Sequence, residues 1–315
     1  MTKFFRFLFF CALTVATAFA ISSCAHDKHR PADPIKENEV SATCVNGSYD
    51  EVTYCERCGD ELSRKTKVIS AVATHNVENG VCTHCDNVIC SEGLELQLNL
   101  DGASYTLVGI GTCDDDDIFV GFYNALPVTR ISESALYNCT EIKSVTLGEG
   151  ITAVPHSAFK GCTSLENISI PSTVTRINLS AFLYCTELKS ITVDSDSETY
   201  KSIDGNLYTK DGSCLLQYAI GKTDASFVIL EGVTSIGDEA FASCSNLITV
   251  TIPDTVQGIG GWAFFNCTSL KKINYRGTKE MWEGVYKDAH WDFWYEDYGS
   301  YEKINYTITY NYTGK

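Results

Sequence analysis

The chain has 315 residues, of which 44% are hydrophobic and 20% are charged, so it can fold into one large domain or two ordinary ones. Its 40 acidic residues outnumber 24 basic ones, and the net charge of −16 argues against a protein that binds nucleic-acid phosphates. The sequence contains no P-loop, GxGxxG, HExxH or GxSxG motif and no evident nucleophile–base pair. We therefore expect a non-enzymatic protein with no catalytic cofactor and no small-molecule substrate.

The N-terminal residues have the features of an export signal. Lys3 and Arg6 precede residues 7–20, which are nearly all apolar and too few for a membrane-spanning helix of about 20 residues. The following Ile21-Ser22-Ser23-Cys24 resembles a bacterial lipobox, in which the cysteine is acylated and becomes the mature N-terminus. This predicts a signal peptide over residues 1–23 and a lipid anchor at Cys24 that holds the protein on a bacterial membrane at the cell surface. Cleavage after Ala20, which fits the small-x-small rule, would instead give a secreted protein.

Two segments follow the export signal. Residues 24–40 are polar and contain proline, which predicts a flexible tether. Residues 41–93 are rich in cysteine, and their two CxxC pairs resemble a zinc ribbon. The ligands would be Cys55, Cys58, Cys82 and Cys85, with Cys44 and His75 as alternative ligands beside the first pair.

Structural zinc is one of three states open to this cysteine-rich module. An oxidising exterior favours disulfides, and free thiols are the third state. Because about 50 residues cannot bury much apolar surface, a metal ion or disulfides would stabilise the fold of the module.

A 23-residue repeat organises the chain after residue 128. Numbered from an alanine at position 0, each copy has Phe or Leu at +1, Cys at +4 and apolar residues at +7, +10 and +12. Two more apolar residues precede the alanine, at −7 and −4. The five copies begin at Ala135, Ala158, Ala181, Ala240 and Ala263.

The pattern within a copy predicts a coil with one short strand. Positions +10 and +12 alternate with polar neighbours, as in a strand with one buried face. Pro171 and Pro253 at +13 end the strand, because proline cannot donate to a β ladder. The +4 cysteines share the period of the coil and are expected to form an internal column of small apolar side chains. A single copy buries too little apolar surface to fold alone, so the copies must stack around a shared core.

The consensus AFxxCxxLxxIxIPxxVxxI resembles the BspA-like leucine-rich repeat of bacterial surface proteins. The resemblance implies a mainly β fold with short helical turns: a parallel-stranded leucine-rich-repeat solenoid with N- and C-terminal caps, preceded here by the zinc-ribbon-like module. It also implies exposure outside the cell and a role in adhesion or protein–protein interaction.

The repeats are predicted over residues 135–275, with an insertion at about 194–232. Every other pair of neighbouring copies begins one repeat length apart. Ala181 and Ala240, in contrast, are more than two repeat lengths apart. Asp211-Gly212 lies between two apolar runs and predicts a hairpin that extends one coil.

Both ends of a solenoid need caps. Residues 94–134 contain two alternating strands around Asp101-Gly102 and an acidic run at 114–117 that lacks the spacing of a calcium loop. Residues 276–315 begin with a predicted helix whose Met281, Trp282 and Val285 share one side. These segments are predicted to be the N-terminal and C-terminal caps.

The outward side of the predicted sheet is the candidate partner-binding face. Polar side chains recur at +8, +9 and +11 on a rigid array, which can bind an extended partner at low ordering cost. The residues are Lys143, Glu166, Asn167, Lys189, Thr192, Thr249, Thr251 and Lys271. We predict a cell-surface lipoprotein that binds an extracellular protein or glycan and no nucleic acid. The alternative is a carbohydrate-binding or cell-envelope scaffold protein that uses C-terminal aromatics such as Trp291, Phe293 and Trp294.

Overall fold

The computed structural model describes residues 31–40, 47–54, 56, 61–69, 77–78, 81–82, 89–296 and 300–314. The chain divides into two units, Met1–Ala71 and Val72–Lys315. Within the described ranges, no helix has the length and apolarity needed to cross a membrane. The predicted signal peptide and Cys24 lie outside those ranges.

The first unit contains an antiparallel sheet of three strands, β1 (Ile35–Val40), β2 (Gly47–Tyr54) and β3 (Glu61–Ile69), in the order β1-β2-β3. Arg64 on β3 forms ion pairs of 2.9 Å with Glu37 on β1 and with Asp50 on β2. The hydroxyl of Tyr54 donates to Glu37 at 2.7 Å, and this bond and the Arg64 guanidinium lower the pKa of Glu37. The prediction of a flexible tether is therefore wrong for residues 35–40, because cross-strand bonds and ion pairs hold them in a sheet.

The second unit consists of short strands wound into coils. Its strands are β4 (Val77–Glu78), β5 (Val81–Cys82), β6 (Glu95–Leu98), β7 (Tyr105–Gly109), β8 (Asp117–Val120), β9 (Phe122–Tyr123), β10 (Leu126–Ile131), β11 (Ser144–Leu147), β12 (Ala153–Val154), β13 (Asn167–Ile170), β14 (Arg176–Ile177), β15 (Ser190–Val193), β16 (Tyr200–Ile203), β17 (Asn206–Thr209), β18 (Cys214–Gln217), β19 (Ser226–Val228), β20 (Ser235–Ile236), β21 (Thr249–Ile252), β22 (Gly258–Ile259), β23 (Lys272–Tyr275), β24 (Tyr286–Lys287), β25 (Phe293–Glu296), β26 (Ser300–Lys303) and β27 (Thr307–Thr309). A 3₁₀ turn (Leu179–Phe182) and a helix, α1 (Lys279–Gly284), complete it.

Two parallel sheets form one side of the coils. The N-terminal sheet has the order β15-β13-β11-β8, and the C-terminal sheet has the order β19-β21-β23-β27. Equivalent repeat positions lie opposite each other: Val145 pairs with Ile168, and Ile168 with Ile191. These side chains are buried, so the predicted solenoid with a shared core is confirmed.

The Ala-Phe corner of each coil bonds to the next coil through its backbone. The amide of Phe159 donates to the carbonyl of Ala181 at 3.0 Å, and that of Phe241 to Ala263 at 2.8 Å. Positions −1 and +3, on either side of the corner, adopt the left-handed conformation in most copies, as at Trp262 with φ of 57°. Asn266 at +3 has φ of 57° and belongs to the residue type that tolerates this region, which explains the Asn-Cys-Thr corner.

The core contains stacked rings and a column of thiols. Phe159 stacks on Phe182 with ring centroids 5.9 Å apart, and Phe241 stacks on Phe264 at 4.7 Å. The predicted internal column is confirmed at Cys162, Cys185, Cys244 and Cys267, which are buried, while Cys139 in the first copy is half-buried.

The core is divided in two near the insertion. One cluster of buried side chains extends from Leu107 to Leu207, and the other from Tyr208 to Ile304. The division coincides with a sixth copy of the repeat that the sequence pattern does not show. The amide of Tyr218 donates to Ala240 at 2.8 Å, and its ring stacks on Phe241 at 5.2 Å, so Tyr218 occupies position +1.

This hidden copy begins at Gln217, one repeat length before Ala240. Gln217, Tyr218 and Gly221 replace the Ala, Phe and Cys by which the other copies are recognised. The long interval between Ala181 and Ala240 therefore contains one whole repeat together with a shorter extra segment.

The extra segment forms a second hairpin. The predicted hairpin is confirmed, since β17 and β18 are antiparallel around Asp211-Gly212. In addition β16 pairs with β17 around Asp204-Gly205, whose φ angles of 50° and 72° suit a tight hairpin turn. The N-terminal sheet ends at β15, and the next strand of the repeat, β19, belongs to the C-terminal sheet. The Asp204-Gly205 turn therefore lies beside β15, in the place of a further strand of the N-terminal sheet. The amide of Ile191 on β15 donates to Gly205 at 2.8 Å.

Both ends of the solenoid are closed. At the N-terminal end β6 and β7 form the predicted hairpin, although β8 of the N-terminal sheet also lies within residues 94–134. At the other end the predicted helix is α1, in which Trp282 is buried but Met281 is 45% exposed. Trp291 lies beside the Ala-Phe corner of the last copy, and its ring meets that of Phe264 edge-on at 5.9 Å.

Candidate functional site: the outer face of the parallel sheets

The outer face consists of the outward side chains of the two parallel sheets. Along β11 the side chains of Val145 and Leu147 are buried, while those of Ser144 and Thr146 are partly exposed. The same alternation in successive strands produces rows of polar side chains that cross the sheets at one residue per coil. Of the predicted residues, Lys143, Asn167, Lys189, Thr192 and Lys271 are exposed, Glu166 and Thr249 are half-buried, and Thr251 is buried.

The +8 row of the N-terminal sheet alternates in charge. Lys143 pairs with Asp116 at 2.7 Å, and Lys189 pairs with Glu166 at 3.0 Å. Their backbones are also joined, because the Glu166 amide donates to the Lys143 carbonyl at 2.7 Å and the Lys189 amide to the Glu166 carbonyl at 2.8 Å. Exposed ion pairs add little to stability, but this row presents charges of alternating sign at fixed spacing.

Asp116 is a face residue that sequence reasoning missed. It belongs to the acidic run at 114–117, but it forms the first position of the +8 row. The hydrogen bond and charge of Lys143 lower the pKa of Asp116, and Asp116 in turn raises the pKa of Lys143. Asp116 lies 27 residues before Lys143, which is longer than the repeat, so the repeat spacing gave no signal for it in the sequence.

The prediction that Thr251 faces a partner is wrong. Thr251 is 4% exposed, and Asn274 in the next strand is 3% exposed, with its Nδ2 atom donating to the Thr251 hydroxyl at 3.4 Å. The C-terminal segment turns back beside this row, where the amide of Tyr312 donates to Tyr275 at 3.1 Å. Arg276 also forms an ion pair with Glu231, which joins the coils on either side of Thr251. Terminal packing therefore covers a position that the repeat pattern alone places outside.

The predicted rows are not continuous from Lys143 to Lys271. They stop at β15 and begin again at β19, with the Asp204-Gly205 turn between the two sheets. Lys222 fixes that turn by donating to the carbonyl of Asp204. Within the described ranges, Lys271 of the C-terminal sheet forms no ion pair and is exposed beside Ile248, which is 41% exposed.

The lipid and zinc predictions fall on residues that the structure does not describe. Cys24, Cys44, Cys55, Cys58, His75 and Cys85 lie outside the described ranges, and Cys82 is placed only as a backbone position in β5. Among the residues that are described, no group of three or more His, Cys, Asp or Glu side chains is arranged to hold a metal ion.

The stacked coils and their polar face define a leucine-rich-repeat scaffold. The family model "BspA type Leucine rich repeat region" matches in six copies over residues 123–213 and 218–287, just over half of the chain. The chain belongs to this family, whose members are typically bacterial cell-surface proteins. Six copies agree with the five alanine-initiated repeats and the hidden one at Gln217.

Several solved structures are similar over part of the chain. A leucine rich cell surface protein from Faecalibacterium prausnitzii is 20% identical with a TM-score of 0.33, over 63% of this chain and 97% of that one. The leucine-rich repeat protein of T. pallidum is 22% identical with a TM-score of 0.36, over 58% and 69%. One from Bacteroides ovatus is 25% identical with a TM-score of 0.39, over 58% and 46%. No curated protein matches the chain.

Proposed function

We propose that this protein is a non-enzymatic, lipid-anchored protein of the cell surface that binds an extracellular protein partner through the outer face of its sheets. The observation that carries the proposal is the +8 row, in which Asp116, Lys143, Glu166 and Lys189 alternate in charge above a fully buried core. A rigid array loses little conformational entropy on binding. Its alternating charges favour a partner with a complementary pattern over other surfaces.

The face is tested by charge reversal. Replacing Lys143, Lys189 and Lys271 together by Glu should weaken binding to intact partner cells at least tenfold, because it inverts every cation of the +8 rows. The matched control reverses Lys160, Lys210 and Lys279, which lie off the face. Equal binding by the two triple variants, at equal melting temperature, would remove the face from the proposal.

The lipid anchor rests on the sequence around Cys24 and on the surface location typical of the family. Cys24→Ala should abolish labelling by fatty acid and move the protein from the membrane fraction to the medium or periplasm. Cys11→Ala, within the apolar part of the signal, is the control and should label normally. Undiminished labelling of the Cys24→Ala protein would contradict the anchor.

The cysteine-rich module is proposed to be held together by zinc or by disulfides. Metal analysis of the purified mature chain separates the two. About one zinc ion per chain, released together with loss of fold in a chelator, supports the ribbon formed by Cys55, Cys58, Cys82 and Cys85. Absence of zinc with these thiols oxidised supports disulfides.

The alternative, carbohydrate binding through the C-terminal aromatics, has less support. Trp282 and Trp291 are 6% and 8% exposed, and their rings pack against Tyr275 and Phe264, so they close the core. A glycan array probed with the mature chain tests this alternative directly. Specific glycan binding that survives the triple lysine reversal would favour it.

A further inference from the structure

Two polar side chains of the C-terminal sheet are buried at a position that the repeat places on the outside. Thr251 and Asn274 both occupy position +11, and the alternation along β21 and β23 directs them away from the core. At the same position Thr192 is exposed on β15, and Val228 is 50% exposed on β19. Another part of the chain must therefore cover this row at Thr251 and Asn274.

The C-terminal tail, residues 311–314, lies beside the covered row. It follows β27, which pairs with β23, and it begins with a turn at Asn311, whose φ is 52°. The amides of Asn311 and Tyr312 donate to the carbonyls of Gly277 at 2.9 Å and Tyr275 at 3.1 Å. These bonds hold the tail against the end of β23.

The ring of Tyr312 lies on the outer side of the sheet. The ammonium group of Lys272 is 5.8 Å from the centre of this ring. Lys272 and Asn274 are two residues apart on β23, so their side chains lie on the same side of the sheet. The tail therefore covers the row from the side of Asn274.

The tail does not satisfy the polar groups that it covers. The Oδ1 atom of Asn274 is buried and has no hydrogen-bond partner among the described residues, while its Nδ2 atom reaches the Thr251 hydroxyl at 3.4 Å. A buried amide oxygen without a donor costs free energy. Opening of the tail would let water or a partner donate to this oxygen, which favours the open state.

The tail is less firmly anchored than the strand before it. Tyr310 packs against the C-terminal core cluster and fixes the end of β27. Beyond it, Asn311 and Thr313 are exposed and Tyr312 is half-buried. Segments with few buried apolar contacts open locally at a low cost in free energy. The tail can therefore open while the coils stay folded.

We infer that residues 311–314 form a strap that closes the outer face at Thr251 and Asn274, and that a protein partner displaces the strap when it binds there. The partner would place an aromatic side chain beside Lys272, because the Tyr312 ring occupies that place in the closed chain. Displacement by a partner rests on the proposed function, whereas the closed strap does not. A closed strap lowers the apparent affinity for the partner, because only the open fraction of the molecules can bind.

The first measurement is the access of a thiol reagent to position 274 in the purified mature chain. In an Asn274→Cys variant, mass spectrometry follows the labelling of the peptide that contains this position, and Thr251→Cys gives the same comparison if Asn274→Cys does not fold. Adding Tyr312→Ala should raise the labelling rate at least fivefold, because it removes the ring beside the row. Tyr286→Ala removes a tyrosine that is 67% exposed on β24 and should change the rate less than twofold. Melting temperatures of all variants identify any loss of fold.

The second measurement is binding to intact partner cells. The chain with Tyr312→Ala alone should bind at least threefold more tightly than the wild-type chain, because the strap no longer competes with the partner. Tyr286→Ala is again the control and should bind as the wild type does.

Two results would overturn the inference and leave the proposed function standing. One is an unchanged labelling rate in Tyr312→Ala together with a faster rate in Arg276→Leu, which would assign the cover to the ion pair of Arg276 with Glu231. The other is faster labelling in Tyr312→Ala without tighter binding, which would make the tail a cap only. Absence of binding by the wild-type chain and by Tyr312→Ala alike would contradict the proposed function, and displacement of the strap by a partner with it.

Discussion

At the scale of residues, the cysteine column shows how one side chain can serve both the core and the backbone. The thiols of Cys162, Cys185 and Cys267 each donate to the carbonyl of the +1 residue in the preceding copy, at 3.0, 3.1 and 3.0 Å. A thiol is small and apolar enough for the core, and it gives a second hydrogen bond to a carbonyl that already accepts the +4 amide of its own copy, as Phe159 accepts from Cys162 at 3.1 Å. This dual role accounts for cysteine at a position where alanine would otherwise be sufficient.

These thiols should be unreactive in the native protein. Burial raises the pKa of Cys162 to about 12, so almost no thiolate is present at pH 8. We expect a thiol reagent at that pH to label Cys113 and Cys139, which are partly exposed, before any buried cysteine of the column. Mass spectrometry of the labelled peptides measures the order. Early labelling of Cys162 or Cys185 in folded protein would contradict the buried column.

The same burial predicts a loss of stability in alkali. A thiol with a raised pKa stabilises the native state fully below the pKa of the unfolded thiol, about 8.5. Above that value the unfolded chain ionises while the folded one does not, so the stabilisation declines as the pH rises towards about 12, the folded pKa of Cys162. Urea unfolding between pH 8 and 11 should show this decline. The slope should be shallower in Cys162→Ala, and an identical slope would argue against the linkage.

Gly221 is a residue whose identity is fixed by contact. It stands where the other copies have cysteine, and an added Cβ would overlap the Glu187 carbonyl carbon and the Leu188 nitrogen. Gly221→Ala should therefore destabilise the fold by about 1–3 kcal/mol, the usual cost of overpacking. Gly258→Ala is the control, because its Cβ would meet nothing within 4 Å. Chemical denaturation compares them, and equal stability would contradict the close approach of the two coils.

At the scale of elements, the β16–β17 hairpin joins the two halves of the solenoid. Ser202 on β16 donates to the Ile191 carbonyl at 2.6 Å and accepts from the Val193 amide at 2.8 Å. Both partners belong to β15, the last strand of the N-terminal sheet. The hairpin thus satisfies a sheet edge that would otherwise be open.

Ser202→Ala should weaken this connection. Loss of two hydrogen bonds to backbone groups is expected to cost about 1–3 kcal/mol. Because the core is divided between Leu207 and Tyr208, we also expect the calorimetric transition to broaden as the two halves unfold less cooperatively. Ser190→Ala, on the same strand edge but without these bonds to β16, is the control. A sharp, unshifted transition in Ser202→Ala would contradict a bridging role.

Much of the element pattern could be predicted from the sequence, because equivalent positions recur once in every copy. The strands at +10 and +12, the thiol column and the Asp211-Gly212 hairpin all follow from the local pattern and its recurrence. The copy at Gln217 was not recognised, because it has lost alanine, phenylalanine and cysteine together and keeps only the apolar residues Phe227 at +10 and Ile229 at +12. The turn at Asp204-Gly205 had a signal, a second Asp-Gly pair that follows Ile203 and precedes Asn206-Leu207.

At the scale of the whole molecule, the candidate face was less predictable than the fold. Repeat spacing places a side chain inside or outside a coil, but it does not show what the chain ends cover. Thr251 is outside by spacing and buried by the packing of the C-terminal end, whereas Asp116 joins the face from a segment assigned to the cap.

The central claim is that the outer face binds a protein partner. Site-specific photo-crosslinking on living cells tests it most directly, with a photoreactive amino acid placed singly at Asn167, Thr192 and Lys271 and, as controls, at Lys160 and Lys279. The account predicts one protease-sensitive adduct of the same mass from the face positions and none from the controls. Adducts from the control positions alone, or the same adduct from all five, would contradict it.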